Sequence, residues 1–135
     1  MTYIPIQLRD LVIARAGGAC EYCHIPAFLV FVPHEFDHIV AEKHGGQTVA
    51  GNLAYSCAVC NRYKGTDLSS IDPETERLEP LFHPRRQVWS DHFDLINTMI
   101  VPKTPTGRVT AQLFRFNHST RVEERRLLIE AGVFV

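Results

Sequence analysis

Four cysteines fall in two Cys-x-x-Cys units, Cys20-Glu21-Tyr22-Cys23 and Cys57-Ala58-Val59-Cys60. Two thiolates three positions apart on a tight turn both reach one ion at about 2.3 Å, and two such turns complete a tetrahedral shell. A four-thiolate site is closed and structural, and zinc is its usual occupant, although iron accepts the same ligands. Disulfides are disfavoured, because the opening residues, Met1 to Ile6, lack the basic start and apolar run of a secretion signal. Cys20 to His24 also fits the Cys-x-x-Cys-His haem-attachment pattern, but that reading leaves Cys57 and Cys60 without a role. A thioredoxin-like redox pair needs one unit beside a βαβ element, which two equal units do not suggest. Residues 24–56 are too many for a bare zinc ribbon, so the insert between the pairs is where further chemistry is expected.

The elements around that insert follow from pattern. Pro5, then Leu8, Leu11 and Val12 at one-face spacing, predict a helix that Gly17-Gly18 ends. Ala27 to Val32 reads as a β-rich apolar run. Glu35 to Val40 alternates as a half-buried strand, with Phe36, His38 and Val40 on one face and Glu35, Asp37 and Ile39 on the other. A turn follows at His44 to Gln47, and Ala58 to Lys64 suits a short helix stopped by Gly65. Further on, residues 66–79 read as a polar surface loop, 89–100 as a helix, 102–107 as a turn-rich connector, 108–116 as a strand and 121–131 as a last helix.

Asp37-His38-Ile39-Val40, Gly51-Asn52-Leu53 and Cys57 to Gly65, in that order, resemble the HNH endonuclease family, in the variant whose last histidine is asparagine. The resemblance covers about residues 8–93 once the first cysteine pair and Leu81 to Phe93 are included. It implies an α+β fold: a small ββα-metal core stapled by a four-cysteine zinc site, with flanking helices and a C-terminal extension over about 94–135. It also implies a metal-dependent endonuclease that hydrolyses phosphodiester bonds. In that scheme His38 is the general base, while Asp37 and Asn61 hold a catalytic Mg²⁺ or Mn²⁺. Those residue types agree with the roles: imidazole accepts a proton at neutral pH, and a hard cation prefers carboxylate and amide oxygens with water. Asn52 is the middle residue of the motif, expected to hold backbone or orient His38, or simply to form a turn after Gly51. Arg62 and Lys64, on the helix of Asn61, are candidate phosphate contacts, as are Arg85 and Arg86. His83 stands where the family often has asparagine. Glu35 reads either as a further metal ligand or as a solvated carboxylate.

The bulk composition sets the frame. The 135 residues, 45% hydrophobic and 21% charged, make one globular domain spanning 1–135. A net charge of −1 provides no global positive field, so any footprint for nucleic acid, expected to be double-stranded DNA, is local. No apolar stretch reaches bilayer length, and the expected location is cytoplasmic with no membrane partner. The alternative function is a zinc-stapled nucleic-acid-binding module that keeps the fold but does not cut.

Overall fold

A computed structural model describes residues 2–134. Helix α1 (Ile6–Arg15) begins directly after Pro5 and ends where Gly17 and Gly18 take positive φ. Strands β1 (Glu35–His38) and β2 (Leu53–Ser56) pair antiparallel, with His38 opposite Leu53 and Asp37 opposite Ala54. Helix α2 (Ala58–Lys64) follows at once, capped at Cys57 and stopped at Gly65, φ +52°. Together these form the ββα core of an α+β fold.

Every residue of β2 is buried. Its alternation serves two clusters: Leu53 and Tyr55 pack with Val12 of α1, while Ala54 joins the larger core around the four cysteines. Arg15, at the end of α1, donates to the carbonyls of Ala50 (2.9 Å) and Leu53 (2.8 Å), so α1 also pins the entry to β2.

The C-terminal half adds β3 (Ser69–Ile71), β4 (Leu78–Pro80), α3 (Trp89–His92), β5 (Phe93–Ile96), β6 (Met99–Pro102), α4 (Pro105–Leu113) and α5 (Ser119–Glu130). Phe93, Ile100, Val109, Phe114 and Phe116 are essentially inaccessible and share one cluster with Cys20, Cys23, Cys57 and Cys60. The extension therefore completes the core around the cysteines. Leu113 packs half-buried against the same cluster.

Four expectations are corrected. Ala27 to Val32 is a 3₁₀ turn (Ala27–Leu29) and an extended stretch that leaves Phe28, Phe31 and Val32 exposed; prolines 26 and 33 bracket it, and β1 pairs with β2. Residues 66–79 contain most of the β3–β4 pair, turned by Asp72, whose carboxylate accepts from the Glu74 amide (3.0 Å) and the Thr75 hydroxyl (3.0 Å). The helix expected over 89–100 ends at His92, and 93–102 becomes a hairpin turned at Asn97, φ +57°. Residues 105–113, mostly expected as strand, form α4, because Thr104 accepts from the Gly107 amide (3.0 Å) and Pro105 starts the helix.

Candidate active site and metal centre

The sulfurs of Cys20, Cys23, Cys57 and Cys60 lie within 4.8 Å of one another, with Cys23 and Cys57 3.6 Å apart. Four ligands at about 2.3 Å from one tetrahedral ion stand roughly 3.8 Å apart, so the cluster fits zinc. Two turns aim them. The amides of Tyr22 and Cys23 donate to Cys20 Sγ, and that of Cys60 to Cys57 Sγ, each at 3.4 Å. Burial pushes the Cys20 and Cys60 thiols well up, while hydrogen bonds within the cluster draw Cys23 down. A central cation is what lets four buried sulfurs be anionic together. The first turn is also tied to β2: Glu21 accepts the Tyr55 amide (2.8 Å) and ion-pairs with Arg85.

Asp37 and His38 of β1 and Asn61 of α2 line one open cavity of about 390 Å³, together with Glu42 and Lys43. On β1, Glu35 and Asp37 are two residues apart and face α2, where Asn61 and Lys64 are three apart, so strand and helix meet in two rungs. In the first, Asn61 Nδ2 donates to Glu35 Oε2 at 2.7 Å. A carboxylate only accepts, so the amide nitrogen must face Glu35, and the Asn61 oxygen is left for another partner. In the second rung, Lys64 Nζ lies 3.2 Å from both oxygens of Asp37 and donates to the His38 carbonyl at 3.2 Å. Tyr22 OH adds a bond to Asp37 Oδ2 at 2.8 Å. Burial pushes the Asp37 carboxyl above its ordinary value, against the opposing pull of Lys64 and Tyr22.

His38 sits at the end of β1, 17% exposed, with Nε2 2.9 Å from Thr48 Oγ1 and 3.5 Å from Glu42 Oε1. Glu42 accepts only, which favours the proton on Nε2 and leaves Nδ1 as the ring's acceptor. Asn52 is spent on backbone: its oxygen takes the Val40 amide, and its nitrogen donates to the carbonyls of Val40 and Gln47, all at 2.9 Å. That clamp closes the loop between β1 and β2 tightly. A Cβ on Gly46 would stand 1.7 Å from the Val40 oxygen and 2.9 Å from Asn52 Nδ2.

Of the expected phosphate contacts, Arg62 and Arg86 are exposed, whereas Lys64 is buried on Asp37 and Arg85 is largely buried on Glu21. The structure thus removes Lys64 from the expected outer face. His83 takes a turn role: its Nδ1 accepts the Arg85 amide (3.2 Å), and its own amide donates to Gln87 (2.9 Å). Sequence reasoning missed Tyr22, Glu42 and Thr48 as partners of Asp37 and His38. No local spacing signals these contacts: His38 ends a strand and Glu42 opens a 3₁₀ turn, so the pair is not a helical i,i+4 pair.

Residues 20–67, which hold both cysteine turns, β1, β2 and α2, match the model of the HNH endonuclease family. No curated protein and no solved structure matches the chain. Over this segment, which is less than half of the chain, the protein is similar to a family of nucleases, proteins that act on nucleic acid. Among the described residues, no helix is long and apolar enough to cross a membrane.

Proposed function

We propose that the protein is a metal-dependent endonuclease that hydrolyses phosphodiester bonds in double-stranded DNA, with His38 as general base. The observation that carries the reading is the convergence of His38, Asp37 and Asn61 on one open cavity, inside the segment that matches a nuclease family. His38 Nδ1 takes a proton from water as the water oxygen attacks phosphorus, and Glu42 and Thr48 hold the ring through Nε2. Glu35 fixes the Asn61 amide so that its oxygen is available to a cation. Asp37 keeps lone pairs beyond those given to Tyr22 and Lys64. A Mg²⁺ or Mn²⁺ ion, which retains several waters, fits this small set of oxygen donors. Held by Asp37 and Asn61, such an ion supplies charge stabilisation for the leaving oxygen. Lys64 and Asn52 act through position, locking α2 and the β1–β2 loop around His38. Arg62 and Arg86 remain for flanking phosphates.

The test is nicking and linearisation of supercoiled plasmid by zinc-loaded protein with Mg²⁺ or Mn²⁺, beside His38→Ala. Loss of a general base costs about 10²- to 10⁴-fold, so the variant should be nearly inactive with its zinc retained. DNA binding without cutting by either protein would overturn the reading in favour of the non-catalytic module. A colourless protein with one equivalent of zinc by elemental analysis identifies zinc in the four-cysteine centre, whereas visible absorption would identify iron.

A further inference from the structure

The C-terminal helix reaches the cysteine centre from outside the segment that matches the family. Arg121, in the first turn of α5, donates through Nη2 to Cys60 Sγ at 3.2 Å and approaches Cys57 Sγ at 3.7 Å. Its Nη1 donates to the Phe114 carbonyl at 2.6 Å, and the guanidinium lies 5.7 Å from the centre of the Phe116 ring. This placement holds the charge against the sulfurs from two sides. The backbone provides donors to Cys20 and Cys57, but among the described residues the donor to Cys60 Sγ is Arg121.

The electrostatics explain why an arginine belongs there. Four thiolates around a divalent ion carry a net charge of −2 inside the core. A fixed monopositive guanidinium in contact halves that charge, and hydrogen bonds to charged groups are about twice as strong as neutral ones. Next on the same helix face, Arg125 makes no hydrogen bond to a sulfur among the described residues and donates to the Thr98 (2.6 Å) and Phe116 (2.8 Å) carbonyls. The two arginines thus separate two tasks: Arg125 docks the helix, and Arg121 reaches the sulfurs.

We infer that Arg121 is an outer ligand of the metal centre, a counter-charge that slows loss of the ion and makes the C-terminal helix part of that centre. The inference rests on metal binding by the four cysteines and not on the nuclease reading, so failure of plasmid cleavage would leave it standing.

The experiment compares wild type, Arg121→Met, Arg121→Lys and Arg125→Gln, each loaded with Zn²⁺ or Co²⁺. Transfer of zinc to a metallochromic chelator should be about 10- to 100-fold faster in Arg121→Met, the usual effect of losing a partner to a metal ligand. The Co²⁺–thiolate charge-transfer band should move to longer wavelength in that variant, because an undonated thiolate gives up electron density more readily. Arg121→Lys keeps the charge and should fall between. Arg125→Gln should leave the band in place. An unchanged release rate and band in folded Arg121→Met would overturn the inference, as would an equal change in Arg125→Gln. If Arg121→Met does not fold, Arg121→Gln, which removes the charge but keeps a polar side chain, decides: an unshifted band and wild-type release refute the role.

Discussion

Lys64→Met is expected to cost about 3–4 kcal/mol at pH 7, and the cost should grow with pH. The ammonium lies 3.2 Å from both Asp37 oxygens, and the two side chains are 3% and 5% exposed. Removing one partner of a buried pair costs about 3–5 kcal/mol, because the other is left charged in a poor solvent. That penalty has a ceiling, since a stranded carboxyl can take up a proton. From an ordinary value near 3.9, at 1.36 kcal/mol per unit, the ceiling is about 3 kcal/mol at pH 6 and about 4 kcal/mol at pH 7. The sign follows from Asp37, whose carboxyl burial already raises even with Lys64 present. In the variant the folded state binds one more proton than the unfolded state, so stability falls as pH rises. Asp37→Asn/Lys64→Met removes both charges, keeps an acceptor for Tyr22 OH, and should recover most of the loss with no pH dependence. Urea unfolding of zinc-loaded protein at pH 6, 7 and 8 reads all three. A Lys64→Met deficit below about 1 kcal/mol, a deficit flat in pH, or a double variant no better than the single one would refute the reasoning.

Other substitutions probe separate contacts. Gly46→Ala places a methyl group against the Val40 carbonyl and the Asn52 amide, and should cost at least about 2 kcal/mol together with plasmid cleavage; an unchanged denaturation midpoint would show that the loop accommodates it. Glu35→Gln keeps an acceptor for Asn61 and should cleave nearly as wild type, whereas Glu35→Ala should lose about tenfold in kcat/KM, the size of one hydrogen bond to a charged group. Equal losses in both would make the Glu35 charge, and not its grip on Asn61, the working feature. Asp72 is held well below the ordinary carboxylate range by the two-pronged Arg108 guanidinium (2.9 and 2.8 Å), so its contribution is present above that range and lost as pH falls. Asp72→Asn should therefore be less stable at neutral pH and show a shallower acid limb, and parallel stability curves would contradict the pairing.

What the sequence showed and what it concealed divide along a physical line. Cysteine turns, the strand alternation at Glu35 to His38 and the Gly65 stop are local, each set by a few neighbouring residues, and they appear at the predicted places. The partners of the chemistry are distant in sequence: Tyr22 meets Asp37 across 15 residues, Glu35 meets Asn61 across 26, and Arg121 meets Cys60 across 61. No spacing rule reports such contacts, which exist only after β1 is laid along α2 and the extension closes the core. Local signals also failed where two of them competed. Residues 108–116 carry β-favouring Val109 and Thr110, yet the Thr104-Pro105 start fixes the first helical turn, and both residues then bury themselves on the helix face toward the core. Lys64 shows the same conflict at the site itself. A lysine three positions after Asn61 invites a reading as an exposed phosphate contact, but three positions is also one helical turn, which puts it on the same face as Asn61. That face meets Asp37 and the His38 carbonyl, so the residue type suggested solvent while the period placed it inside, and the period decided.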